Sequence, residues 1–522
     1  MLHEVPGMKT KAMGHQFGAL QASNGKRNFA YLMEQGTGKT WTTLADAVRA
    51  WLADKIDGIA VIAPNGVHTN WVRREIPTHV AVPVRTHAWR GGGTKKELKE
   101  IEALYAPTVR REMIVFTINV EAVNFKKGYE ALERFLATKR IMLIVDESTR
   151  IKSHSASRTK KITKLSKEYA VARRILTGTP LTKAPTDLFS QFEFLKSGLL
   201  GTTSYRAFVS QYSVLLEDDD PKMIAVMKSL AGKTGVKPQL VQVDDYGNPM
   251  YRNLDKLRRM IAPHSFRVTK EDCLDLPPKV YQSVGFELSA EQRKVYELLQ
   301  EEYEYQRSIT LDALYEEQPS ARDWEPGAID SYIETHSFAA IAARTKMKQV
   351  TSGFINIEGE PELMPDGANP RMDVFCEVVE DIHSQFLVWC LYEDEILAVA
   401  AKLREKGLRV ETYYGKTKTA DRERIIDEYQ AGKIDVIVGH AAAMGIGLTL
   451  TAGKVSVYYS CGFDNELRKQ SEDRNHRIGT TTSVLYIDLI AYDTIDEDVV
   501  RSLAFKSKLA DFVIDGKGEF NH

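Results

Sequence analysis

Short, continuously apolar runs separated by helix-like segments occur in two sets along this 522-residue chain, and no other feature limits its fold as much. In the first half the runs are Phe29–Met33, Ile59–Ala63, Ile114–Ile118, Ile141–Val145 and Arg174–Thr177. In the last third they are Phe386–Cys390, Arg409–Tyr413, Asp435–Gly439, Val455–Tyr459 and Val484–Asp488. A strand with one wet face alternates apolar and polar residues, whereas a strand buried on both faces reads as unbroken apolar sequence. Helix-like stretches such as Thr42–Ala53 and Thr159–Ala172 lie between the runs. The pattern predicts an α/β fold of two doubly wound parallel-sheet lobes with helical insertions. Leu276-Pro-Pro-Lys279 reads as the connector, because consecutive prolines block a helix. The expected division is lobe one at 1–200, a helical insertion at 201–276, and lobe two at 277–522 with an acidic helical insertion at about 300–353.

Composition narrows the class. With 43% hydrophobic and 27% charged residues the chain has enough apolar material for large cores, which excludes disordered and collagen-like chains. Four scattered cysteines, Cys273, Cys376, Cys390 and Cys461, exclude a disulfide framework and a Cys-x-x-Cys metal site. No apolar run approaches the ~18 residues of a membrane helix, so no membrane partner is expected. The net charge of −1 points to no partner, but its distribution does. Arg150–Lys183 holds ten Lys or Arg and one acid, whereas Glu301–Glu334 holds ten acids and two bases. The basic run is either a phosphate-binding surface or a solvated helical face.

Gly36-Thr37-Gly38-Lys39-Thr40 follows an apolar run and precedes a helix. Backbone N–H groups of such a turn, with the helix N-terminus, cradle phosphates. Lys39 is placed to reach the β and γ phosphates of ATP, and Thr40 to ligate Mg²⁺. Met33 stands where the eight-residue pattern has its first glycine, so a merely structural turn is the alternative. Asp146-Glu147 closes the most apolar run, at the end of the sheet where ligands of open α/β folds bind. Asp146 is expected to hold Mg²⁺ and Glu147 to deprotonate the attacking water. Asp464–Arg477 is expected to be one helix capped by Asp464. Gln470, Arg474 and Arg477 then share a polar face, as an arginine finger presented to a γ-phosphate requires.

These residues resemble the SWI/SNF (Snf-two) branch of superfamily-two helicase-like motors over nearly the whole chain. Gln16 stands where the family's adenine-reading glutamine lies. Glu34–Thr40 resembles motif I, Ile62–Trp71 motif Ia, Phe116–Asn119 motif Ib and Asp146–Thr149 motif II. Motif II departs from the usual Asp-Glu-x-His, which touches the coupling of ATP and nucleic-acid sites more than hydrolysis. Ile175–Leu181 resembles motif III, Ala442–Thr451 motif V and Gln470–Gly479 motif VI, with Thr480 where the family has Gln. The resemblance implies two RecA-like lobes, ATP and Mg²⁺ as ligands, Gly445 and Gly447 at the nucleotide, and duplex DNA across both lobes. Motif position implies backbone contacts from Asn65, Asn70, Trp71, Thr117, Asn119, Lys152, Thr177 and Thr179 in lobe one, and from Gly415, Lys416 and Thr449 in lobe two. Such contacts carry no sequence information, so binding is expected to be sequence-independent and salt-sensitive.

The leading expectation is an ATP-driven translocase on duplex DNA. The alternatives are a strand-separating DNA or RNA helicase, the motor subunit of a larger repair or restriction complex, and a nucleic-acid scaffold with a dead ATP site. Lys39, Asp146, Glu147 and Arg477 argue against the last. The insertions are expected to set the choice of protein partner, and the compact form suggests the cytoplasm of a bacterial, archaeal or phage-infected cell.

Overall fold

The computed structural model describes residues 2–91, 94–106, 111–217, 239, 241–244, 248–317, 337–357, 360–363, 369–444, 448–477 and 479–518. The chain forms two units. The first comprises Met1–Tyr212, Asn253–Asp275 and Leu509–Glu519; the second comprises Ser213–Arg252, Leu276–Lys508 and Phe520–His522.

The first unit is built on seven parallel strands: β1 (Asn28–Met33), β2 (Gly58–Ala63), β3 (Val84–Ala88), β4 (Met113–Asn119), β5 (Ile141–Asp146), β6 (Ala172–Leu176) and β7 (Ser265–Val268). Their spatial order is β3-β4-β2-β5-β6-β1-β7. Every residue of β2 and β5 is buried, as unbroken apolar sequence requires. The second unit holds β8 (Lys279–Phe286), β9 (Phe386–Cys390), β10 (Val410–Tyr413), β11 (Val436–His440), β12 (Val455–Tyr458) and β13 (Val484–Ala491), in the order β8-β13-β12-β9-β11-β10, again all parallel. Along β9, Phe386, Val388 and Cys390 enter one core while Leu387 and Trp389 enter another. The period-two alternation thus sorts side chains between two apolar layers, and the sheet is covered on both faces. Both units are α/β lobes, each built on a parallel sheet.

Three strands, β3, β7 and β8, were absent from the pattern of apolar runs. Each lies at a sheet edge with a single neighbour. An edge strand buries less, so β8 carries exposed residues through its first half and β3 reads Val-Arg-Thr-His-Ala.

The units also divide the chain elsewhere than the composition did. The helices Tyr205–Tyr212 and Leu254–Ile261 belong to the first unit, not to a separate insertion. So does β7, which pairs with β1. The C-terminal segment returns to the first unit, where Arg267 of β7 forms an ion pair with Asp515. Composition carries no sign of such a return, because a short docked segment and a few ion pairs, Arg267–Asp515 and Lys517 with Glu271 and Asp272, fix it. Of the acidic insertion, the helices Ala290–Glu317 and Phe338–Thr351 are described, and residues 318–336 lie outside the described residues. Among the described residues, no helix is long and apolar enough to cross a membrane.

Candidate functional site

β1 delivers the chain into the phosphate turn. Gly36 and Gly38 take φ of +87° and +86°, a region that favours glycine, and Lys39 opens the helix Lys39–Leu52. The turn is braced from several sides. The Thr37 N–H and hydroxyl both donate to the Glu34 carbonyl, at 3.2 and 2.7 Å. The Thr37 carbonyl accepts from Gln16 Nε2 at 3.4 Å and lies 2.8 Å from His15 Nε2. Gln16 therefore sits against the turn itself: a Cβ on Gly38 would come within 2.1 Å of its amide nitrogen. Behind the turn, the Lys270 N–H donates to Glu34 Oε2 at 2.8 Å.

The Asp146-Glu147 pair ends β5. Asp146 is buried; its Oδ2 accepts from Trp71 Nε1 at 2.9 Å and its Oδ1 from the Glu147 N–H at 3.1 Å. Burial first, and then the adjacent Glu147 charge, push its carboxyl up to about 6, against the opposing pull of the Trp71 bond and the Lys39 charge. A carboxylate that is costly to keep ionised in a buried pocket suits a divalent cation, whose charge removes that cost. β1 and β5 run parallel with only β6 between them, so the phosphate turn and the acidic pair leave the same end of the sheet, and the buried Lys39 acts on the Asp146 carboxyl. Glu147 sits at φ +52°, ψ +64°, a left-handed conformation that non-glycine residues seldom hold. The residues present fit a Mg²⁺–nucleotide ligand.

Motif III is attached to this site. A Cβ on Gly178 would stand 3.0 Å from the Gln35 nitrogen, so the two loops are packed backbone to backbone. Ser148 Oγ donates to Gln191 Oε1 at 2.6 Å, and Gln191 Nε2 donates to the Pro180 carbonyl at 2.7 Å. Gln191 thus joins the third position of Asp-Glu-Ser-Thr to motif III. Sequence reasoning passed over Gln191, His15 and Arg267, the last of which donates to the Gly178 carbonyl at 2.9 Å. Nothing but a tertiary contact distinguishes them.

Several expected nucleic-acid contacts are corrected. Trp71 is 1% exposed and spends its N–H on Asp146, so it orients that carboxylate and offers no stacking surface. Thr117 is buried, its hydroxyl donating to the His68 carbonyl at 2.8 Å. Thr177 is buried and its Oγ1 accepts from the Thr179 N–H at 3.1 Å. Lys152 donates to Thr182 Oγ1, and Asn119 to Glu121 at 3.5 Å. Asn65 is exposed and Asn70 half-buried. In the second unit, Gly415 is exposed, Thr449 half-buried, and Lys416 forms an exposed ion pair with Glu393 at 2.6 Å.

The expected helix from Asp464 to Arg477 is shorter. Asp464 caps it as read, accepting from the Glu466 and Leu467 N–H groups, but the helix is Asn465–Glu472. Beyond it the chain turns inward: Asn475 Nδ2 donates to Ser456 Oγ at 3.0 Å and the His476 ring meets the Pro277 carbonyl at 2.8 Å. Gln470, Arg474 and Arg477 therefore do not share one helical face. Arg474 is 1% exposed and donates to the Gln470 and Leu448 carbonyls, which makes it a brace between motifs V and VI. Gln470 is also buried, its amide on Glu466. Arg477 is half-buried and its NH1 reaches the Leu448 carbonyl at 2.9 Å. Gly445 and Gly447 lie outside the described residues.

Comparison with known proteins settles the family. The SNF2-related domain matches residues 23–361, more than half of the chain. The chain belongs to the SNF2-related family. A helicase conserved C-terminal domain matches residues 370–479. An uncharacterized ATP-dependent helicase of Mycoplasma pneumoniae is 22% identical over 483 residues, covering 91% of this chain and 39% of that protein. The ATP-dependent helicase/translocase YwqA of Bacillus subtilis, itself described as a presumed one, is 23% identical over 464 residues, covering 87% and 43%. This chain thus spans about two fifths of the length of these relatives. Among solved structures, a Sulfolobus solfataricus SWI2/SNF2 ATPase core in complex with dsDNA aligns at 21% identity over 99% of this chain and 96% of that one, with a TM-score of 0.39.

The indole–carboxylate bond has a direct consequence for stability. Trp71→Phe keeps the ring's bulk and removes the donor, leaving buried Asp146 Oδ2 without its partner. The expected loss is about 1–3 kcal/mol of unfolding free energy, read from urea denaturation at neutral pH. A variant as stable as the parent would show that the bond contributes nothing.

Proposed function

We propose that this chain hydrolyses ATP and uses the energy to move along duplex DNA. The observation that carries the hydrolytic part is the single site formed by the glycine turn, Lys39 and the Asp146-Glu147 pair at the ends of β1 and β5. Backbone N–H groups of residues 36–40 bind the β and γ phosphates, and Lys39 adds its charge there. Gln16, which braces the turn, is assigned to the adenine edge. Thr40 and Asp146 would hold Mg²⁺, which would supply charge neutralisation to the phosphates. Glu147 orients the attacking water and takes its proton. Arg477 stabilises the charge that develops on the γ-phosphate, with Gln470 supporting motif VI from within and Arg474 fixing it to motif V.

Membership of the SNF2-related family supports duplex DNA as the track. The contacts that remain open for phosphates are Asn65, Asn70, Thr179 and Lys152 in the first unit and Gly415, Lys416 and Thr449 in the second. The Gln191 link between Ser148 and Pro180 offers a route from motif II to the motif III loop, where a track contact at Thr179 is felt. The test is displacement of a third strand bound to duplex DNA. ATP-dependent release of the third strand with the duplex left paired is expected. Release of a duplex strand instead would favour a strand-separating helicase.

A further inference from the structure

The end of the first sheet opposite the phosphate turn carries a second concentration of positive charge. β1 begins at Asn28, β6 at Ala172 and β7 at Ser265, and residues at or just before these starts border an open pocket of about 660 Å³. That volume falls within the range of small-molecule sites. Lys26, Arg27, Lys167, Arg173 and Lys196 form its cationic lining with His264 beside them, and no Asp or Glu among the described residues lines it. Only Lys167 and Arg173 belong to the basic run read from the sequence. The others arrive from the Lys26–Arg27 turn, the end of the helix Asp187–Leu195 and, for His264, the short helix Ala262–His264 before β7. A solvated helical face does not gather basic side chains from four places in the chain.

Arg173 is the informative member. It is nine-tenths buried, and its guanidinium is held by carbonyls alone: Nε and NH2 donate to Ser166 at 3.0 and 2.6 Å, and NH1 to Leu195 at 3.0 Å. Buried charges are ordinarily paired with an opposite charge. Its neighbours repeat the pattern. Lys26 Nζ donates to the Pro263 carbonyl at 2.7 Å and Arg27 Nε to the Val171 carbonyl at 2.5 Å. Lys167 has a carboxylate partner, Glu193 at 2.8 Å. Burial, with Lys26 and Lys196, holds His264 below its ordinary value, and burial with Arg27 does the same to Arg173. Apart from Lys167, none of these cations has a carboxylate partner among the described contacts, and carbonyls hold Arg173, Lys26 and Arg27 in place.

We propose that this pocket binds a small, multiply charged phosphate anion, between pyrophosphate and a nucleotide in size, at a site separate from the ATP site. Exposed Lys26, Arg27, Lys167 and Lys196 surround a pocket floored by the nine-tenths buried Arg173, and a small anion can enter it where a duplex would reach only the exposed rim. The test uses the full chain carrying Lys39→Ala, which disables the phosphate turn, titrated calorimetrically with inorganic pyrophosphate. One saturable site is expected, weakened about tenfold or more by Lys196→Glu and by Arg27→Glu. Both positions are exposed, so these variants should melt with the parent, and a melting scan checks that. Absence of saturable binding, or the parent's affinity retained in both charge-reversed variants, overturns the proposal. So does a short DNA duplex that displaces pyrophosphate and loses affinity in the same variants, since the surface would then belong to the track.

Discussion

Glu147→Gln is expected to leave ATP bound and almost unhydrolysed, with turnover reduced by about 10²–10⁴-fold, the range of a positioned general base. The amide keeps the carboxylate's shape and cannot take a proton from water. The substitution also removes one negative charge beside Asp146, so cation-dependent binding must be read apart from hydrolysis. Binding of a fluorescent ATP analogue and single-turnover hydrolysis separate the two effects. Normal turnover in Glu147→Gln would remove the base assignment and leave the left-handed backbone at Glu147 as a packing feature only.

Arg477→Ala is expected to bind ATP with little change and hydrolyse it more slowly by on the order of a hundredfold, as when one donor to a developing anionic charge is lost. Arg474→Ala provides the contrast. Arg474 is buried against carbonyls of motifs V and VI, so its loss should lower the melting temperature, whereas loss of half-buried Arg477 should not. An Arg477→Ala variant with unchanged turnover would contradict its role at the γ-phosphate. One that also melts early would place it with Arg474 as a brace.

The two variants draw on different kinds of legibility. β2, β5 and β9 could be read from sequence because a strand buried on both faces must be apolar at every position, and residues around the phosphate turn could be read because backbone chemistry demands those glycines. β3, β7 and β8 could not, since their positions are mostly only partly buried or exposed and so carry no unbroken apolar run. Asp464 was legible as a cap because capping is local. The end of that helix at Glu472 was not, because inward bonds from Asn475 and His476 to Ser456 and Pro277 draw the chain away from a helical path. Trp71, Thr117 and Thr177 show the same limit: motif position marked them, but burial and a hydrogen-bond partner decide whether a side chain faces a ligand or serves the fold. Gln191 lies outside every motif, and only the folded chain puts it between Ser148 and Pro180.

The central claim is that duplex DNA is the track on which ATP hydrolysis acts. Steady-state ATP hydrolysis without nucleic acid, and with single-stranded DNA, duplex DNA or duplex RNA, at low and moderate salt, tests it most directly. Strong stimulation by duplex DNA that falls as salt rises is the predicted result, because contacts to the phosphate backbone release counterions. Stimulation by single strands or RNA alone, or by none of these while ATP still binds, would contradict it.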